Sequence, residues 1–269
     1  MRPRRPHRDG PSKGPRHRPE GTSNRFARPA RPSAPTRLAP NRQGLEAMMR
    51  QCRIVLTGEQ YDQLWAFHSF LRKRNHDGDL TRLHGFETIV LKHYVDCMMV
   101  GDLVHLPSPL VDVGSGAGFP GIPLKIRYPK LDIILAEPRP RRVEFLNDAI
   151  QLLGLKKARV FDHKVTSQSF KTPVKAVVTR ALETMDKTVL RTSGALEPGG
   201  KLILLKGPGV EEEIEVFRRR FDDKYRIVEN IPYRLPLIGH DRRIIVIEAP
   251  RDAAPITTPV EDFPGEDAS

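Results

Sequence analysis

A chain of 269 residues, 38% hydrophobic and 29% charged, holds enough apolar material for one substantial core, and no apolar run approaches the ~18 residues of a helical membrane span. The formal net charge of +12 is spread unevenly. Residues 1–43 carry eleven Arg and one Lys against Asp9 and Glu20, a balance of +10; residues 250–269 carry Arg251 against five acids, a balance of −4, which leaves +6 between them.

In chain order, residues 1–43 come first, rich in Pro and Arg and too poor in apolar side chains to fold, which predicts a disordered basic tail. Arginine contacts to phosphate dominate non-specific affinity for nucleic acid, so the tail reads either as an electrostatic tether to RNA or as a solubilising arm. Residues 44–105 form a helical segment. Thr57 and Gln60 make a capping box, and Tyr61, Leu64, Trp65, His68 and Leu71 fall on one face. A second stripe follows in Phe86, Ile89, Val90, His93 and Cys97, and His93 with Asp96 reads as a structural pair on that helix. Cys52 and Cys97 stand far apart with no CxxC pair and no signal peptide opens the chain. The expectation is therefore a reducing cytoplasm with neither disulfide framework nor zinc site, and the nine histidines form no metal pattern.

From Leu106 to residue 249 strands and helices alternate. Strands are predicted at 110–114, 131–136, 158–162, 175–179, 201–206, 225–231 and 242–248, with helices at about 121–128, 141–153, 183–194 and 210–221. Pro129 and Gly154 supply helix stops. This order predicts an α/β domain, a doubly wound, mostly parallel seven-stranded sheet covered on both faces. Residues 250–269 read as a disordered acidic tail.

"VDVGSGAGFPGIP", Val111 to Pro123, packs four glycines and two prolines where the first strand turns into the first helix. In open α/β sheets ligands bind there, and glycines let the backbone approach a ligand that any Cβ would push away. Gly116, Gly118 and Gly121 satisfy the dinucleotide fingerprint, and Glu137 at the end of the second strand suits a ribose, so an NAD-dependent oxidoreductase is one reading. Two features favour S-adenosylmethionine. Asp112 would repel a pyrophosphate but suits a cationic sulfonium, and Pro120 and Pro123 remove N–H donors where a pyrophosphate would want them. Glu137, in "EPRPRR", also has a plain reading as a solvated strand end.

The blocks "DVGSGAGFPGIPL", "DLTRLHGFETIVLKHYVDCMMV", "FLNDAIQLLGL", "VVTRAL" and "LLKG" resemble the bacterial 16S rRNA (guanine-527-N7) methyltransferases, the glucose-inhibited division protein B family, from about Thr57 to Glu248. The resemblance implies a Rossmann-like class I methyltransferase sheet, S-adenosyl-L-methionine as cofactor, and 16S ribosomal RNA or a small-subunit pre-ribosomal particle as partner. It implies a cofactor site at Asp112, Gly114, Ser115, Gly116, Gly118, Phe119, Glu137, Val165, Thr166 and Arg180. Two positions depart from the family pattern. Thr166 stands where the family has glutamate and cannot offer a carboxylate, and Asp79 replaces the asparagine of the family's "NLT".

The chemistry that is missing agrees. Neither cysteine lies at a strand end, as C5 methylation of a pyrimidine would need, and "TRALE" is not the Pro-Pro-aromatic turn of exocyclic amine methylation. Guanine N7 has a lone pair and no proton, so it needs orientation more than a general base, and no catalytic residue is singled out. Lys206 and Arg139 are candidate RNA contacts, Lys206 against a reading as a solvated strand end. A non-catalytic RNA-binding protein with a decayed pocket is a further alternative, made conceivable by Thr166.

Overall fold

A computed structural model of the chain describes residues 38–75, 80–221 and 224–252. Most of residues 1–43, together with Asp79 and residues 253–269, lie outside the described residues.

Seven strands form one sheet: β1 (Leu110–Val113), β2 (Ile133–Ala136), β3 (Ala158–Phe161), β4 (Val174–Arg180), β5 (Leu196–Lys206), β6 (Arg226–Arg234) and β7 (Asp241–Glu248). Their spatial order is β3-β2-β1-β4-β5-β7-β6, with β7 antiparallel to both neighbours and every other pair parallel. The central strands are covered on both faces, so β1 and β2 are buried at every position; β2 reads as an unbroken apolar run and β1 as one interrupted only by Asp112. The sheet order reverses between β1 and its two neighbours β2 and β4, which places a crevice at the carboxyl ends of these strands.

The helices of the sheet domain are α5 (Gly121–Arg127), α6 (Pro140–Leu152), α7 (Met185–Thr192) and α8 (Glu211–Phe221). The expected positions agree within a few residues, with one difference at β5, which starts at Leu196 rather than 201, next to the 3₁₀ turn Ser193–Ala195.

The helical segment starts earlier than its sequence pattern suggests. α1 (Arg42–Gln51) crosses the expected boundary at 43; Asn41 caps it by accepting the Gly44 N–H at 2.8 Å. In α2 (Gly58–Arg74) both bonds of the Thr57–Gln60 capping box are present. The Gln60 amide also donates to the carbonyls of Ile126 and Arg127, at 2.8 and 3.0 Å, closing the open end of α5 from across the structure. α3 (Phe86–Ile89), a π-helical stretch (Val90–Val95) and α4 (Asp96–Leu103) follow as one run.

One apolar cluster runs from Leu45, Leu64 and Phe67 through Tyr94 and Phe119 to Ile133 and Val178, so the helical segment shares its core with one face of the sheet. On the other face Val111, Val177 and Leu204 pack against Met185, Val189 and Phe217 of α7 and α8.

At Gly121 the start of α5 presses onto β1 and β2. A Cβ there would lie 2.3 Å from Leu135 Cδ2 and 2.7 Å from Asp112 Oδ2, both buried. Gly121→Ala should therefore destabilise the fold by about 1–3 kcal/mol through overpacking. Denaturant unfolding of the two proteins measures this; equal stability would mean the helix start can shift freely.

Candidate functional site

The loop after β1 is folded by its own carboxylates. Asp112 is fully buried, and its Oδ2 accepts the Ser115 hydroxyl at 2.6 Å and the Gly121 N–H at 2.9 Å. Burial lifts its pKa to about 6, against the pull of those two hydrogen bonds and of Arg180. Its Oδ1 has no partner among the described residues. Glu137, also buried, accepts the Gly116 N–H at 3.0 Å through Oε2 and the Arg139 N–H at 3.1 Å through Oε1. The N–H groups of Gly114 and Ser115 donate to the Ala136 carbonyl, joining the ends of β1 and β2. Gly114 has φ +73°, a conformation that a β-branched residue holds only under strain.

The same loop ends at Phe119. Its ring stacks on His93 at 4.2 Å between centroids, and the Arg180 guanidinium lies 5.2 Å from its centre. Arg180, at the end of β4, donates to the Lys92 carbonyl at 3.1 Å and to His93 Nδ1 at 3.0 Å. Because a guanidinium only donates, Nδ1 must be the bare nitrogen, and Nε2 carries the proton that meets Thr81 Oγ1 at 3.0 Å. A second proton on His93 would face Arg180 in a dry site; burial and that cation lower its pKa to about 3. His93 is thus a neutral bridge between Thr81 and Arg180.

Asp96 is not paired with His93, contrary to what their spacing suggests. Its carboxylate accepts the Tyr233 hydroxyl at 2.7 Å and Arg242 Nε at 3.4 Å, with Arg180 at 3.9 Å, so it fastens the helical segment to the β6–β7 hairpin.

These groups surround a cavity of about 480 Å³, within the range of pockets that hold small ligands. Gly114, Ser115, Gly116, Phe119, Arg180 and Lys206 line it, as their sequence positions suggest. The other expected residues do not. Asp112 and Glu137 lie beneath the loop and shape it, Gly118 turns it at φ +87°, and Val165 is buried in the core under the opposite face of the sheet. Thr166 is exposed and bonds to Ser169. Arg139 is exposed at the start of α6. The Lys206 ammonium donates to Glu213 and to the Glu183 carbonyl, both at 2.7 Å, which leaves one of its three donors.

Thr81, Arg82, Lys92 and Arg242 also line the cavity and were not singled out by the sequence pattern. They come from three separate segments, and only the family block containing "LTRL" and "KHYVDC" hinted at the first three. Both cysteines are buried, which raises their thiols to about 11 for Cys52 and about 12 for Cys97, so neither is a nucleophile. Among the described residues no His, Cys, Asp or Glu cluster could hold a metal, and no helix is long and apolar enough to cross a membrane.

The sheet order, the antiparallel β7 and the glycine loop after β1 define a class I S-adenosylmethionine-dependent methyltransferase fold. The family described as GidB, rRNA small subunit methyltransferase G, matches residues 60–240, and the chain belongs to it. A ribosomal RNA small subunit methyltransferase G 2 from Syntrophobacter fumaroxidans is 43% identical over 210 residues, which cover 78% of this chain and 42% of that protein. One of the same name from Bdellovibrio bacteriovorus is 36% identical over 194 residues, covering 72% and 76%. The chain thus matches less than half the length of the first relative. A solved S-adenosylmethionine-dependent O-methyltransferase from Thermotoga maritima aligns with a TM-score of 0.45 at 12% identity, over 59% of this chain and 66% of that one. Membership of the family closes the oxidoreductase reading that the glycine loop alone left open.

Asp112→Asn tests the buried carboxylate. The folded protein holds the Asp112 proton more tightly than the unfolded chain does, with a pKa of about 6 against 3.8. This stabilising contribution is full below pH 3.8 and lost as the pH rises through 6. The stability difference should therefore move in favour of the asparagine variant between pH 4 and 6 and level off above 7. Denaturant unfolding across that range is the measurement; a pH-independent difference would mean that Asp112 keeps an ordinary pKa.

Proposed function

We propose that this protein transfers a methyl group from S-adenosylmethionine to N7 of a guanine in small-subunit ribosomal RNA. The observation that carries the reading is the Gly114–Phe119 loop opening, with Arg180 opposite, onto one cavity in a chain of this family.

The residues present fit the cofactor. Gly114 at φ +73° leaves bare backbone facing the cavity, and Arg180 uses two of its five N–H donors on Lys92 and His93, leaving three for a carboxylate. Gly114, Ser115, Gly116, Phe119 and Arg180 would hold it. Asp112 and Glu137 act by shaping the loop, and Glu137 keeps lone pairs beyond the two it uses on backbone N–H groups. When bound, S-adenosylmethionine supplies an electrophilic methyl on a positively charged sulfonium.

The protein's remaining work is orientation and exclusion of water, since the guanine N7 lone pair needs no proton removed. The residues of the cavity agree. His93 is held neutral and donates its one proton, on Nε2, to Thr81, and both thiols are buried and protonated, so neither the imidazole nor a thiol is poised as a general base. Arg180 cannot grip O6 and N7 together while N7 is methylated, which favours a cofactor-side role for it. Residues 1–43 would add non-specific RNA affinity through their twelve basic side chains.

Methyl-label transfer to small-subunit particles and to naked small-subunit RNA, followed by mapping of the modified base, tests the reading. Label in a specific guanine N7 supports it; binding of RNA with no transfer would favour a decayed pocket. Single-turnover rates should be nearly flat from about pH 6.5 to 9, because no proton leaves the nucleophile. A tenfold rise following one ionisation would point to an amine or carbon target instead. Folded Gly114→Val protein should lose adenosylmethionine binding, measured by calorimetry, because a Cβ there would lie 2.6 Å from Leu182 Cδ1 and a β-branched residue is strained at φ +73°, so the loop facing the cavity must shift. Unchanged affinity would move the cofactor out of this loop.

A further inference from the structure

Five cationic side chains line the cavity, Arg82, Lys92, Arg180, Lys206 and Arg242, with Asp96 the acid among them. Three are already engaged: Arg180 with Lys92 and His93, Lys206 with Glu213, and Arg242 with Asp96. Arg82 and Lys92 form no side-chain hydrogen bond or ion pair among the described residues, and Arg82 is exposed. A binding wall with two uncommitted cations at its open side suits an anion that arrives from solvent.

The two cations are presented on fixed backbone. The Asn75 side chain, itself buried, accepts the N–H groups of Leu80 and Thr81 at 3.1 and 3.0 Å and donates to the Thr81 carbonyl at 2.7 Å. Thr81 Oγ1 is in turn held by His93, so the residue before Arg82 is pinned from both sides. Lys92 sits in the π-helical stretch, and its carbonyl is the acceptor for Arg180. Little backbone ordering is left to oppose binding at this rim.

We infer that Arg82 and Lys92 bind phosphodiester oxygens of single-stranded RNA beside the guanine that enters the cavity. The inference rests on the proposed methyl transfer to RNA and deepens it. A base modified inside a pocket must leave its stack, which brings its flanking phosphates to the pocket rim, where two free cations meet them. Lys206, the candidate from sequence, already spends two of its three ammonium donors on Glu213 and the Glu183 carbonyl, so Arg82 and Lys92 are the less committed cations.

The test compares the full-length protein with the double variant Arg82→Gln/Lys92→Gln, measuring affinity for a small-subunit rRNA transcript from low to high salt. The tail contributes equally to both. Each lost contact to a single strand should flatten the plot of log K against log salt by about 0.7, so the pair should flatten it by about 1.4 and weaken binding about tenfold or more at low salt. Adenosylmethionine affinity should hold. The charge control is Lys156→Gln/Lys175→Gln, two exposed lysines near the opposite, amino-terminal ends of the strands, which should change the slope little.

A slope unchanged in Arg82→Gln/Lys92→Gln, or changed no more than in the control pair, would overturn the inference. So would a loss of adenosylmethionine affinity equal to the loss for RNA, which would assign the two cations to the cofactor. Because binding is read without methyl transfer, a wild-type protein that binds RNA through these residues yet transfers no label would sink the proposed reaction and leave the contact standing.

Discussion

The site depends on one buried carboxylate. Asp112 gives up all contact with water to hold the Ser115 hydroxyl and the Gly121 N–H on a single oxygen, so one atom fixes both the loop and the helix that follows it. Two hydrogen bonds to a charged group recover about 1.5–3 kcal/mol each, whereas burying the charge costs several kcal/mol. Desolvation wins, and the proton is held more tightly than in water. Glu137 repeats the device from the neighbouring strand, reaching back to the Gly116 N–H. The glycine loop is thus positioned by acids beneath it, and its upper surface stays free for a ligand.

The other wall of the cavity is built by joining segments that are distant in the chain. His93 links Thr81 to Arg180 and stacks on Phe119, and Asp96, three residues on, links α4 to the β6–β7 hairpin. Each of these side chains is rigid because its partners are rigid. The neutral bridge of His93 matters most: with the Lys92 carbonyl it takes two of the five Arg180 donors and leaves three.

Much of the architecture could be read from the chain. Central strands covered on both faces lack a polar alternation, as in "IILA" and in "LVDV", whose one polar residue is Asp112, and the Thr57–Gln60 box announces its helix by a local pair of hydrogen bonds. What escaped was non-local or short. The buried Leu45, Met48 and Met49 of α1 make one brief stripe beside an arginine-rich stretch and do not stand out from it. His93 and Asp96 look like partners by spacing, but their hydrogen bonds go to Thr81, Arg180, Tyr233 and Arg242, and no periodicity encodes those distances. Lys206 at a strand end looked free until the fold brought Glu213 to it. Arg82 and Lys92 carry no pattern of their own, and their standing comes from what their neighbours have already committed.

The insertion of β7 between β5 and β6 orders events during synthesis. Tyr233 and Arg242, the partners of Asp96, lie 137 and 146 residues further along the chain, so a nascent polypeptide has made α4 and most of the sheet before either leaves the ribosome. Until then Asp96 lacks both of its hydrogen-bond partners and has only the Arg180 cation near it, and β5 presents an unpaired apolar edge along Leu202–Leu205. A chain that ended before β6 would therefore lack Arg242 from the cavity wall and would leave that edge as an open template for wrong strand pairing.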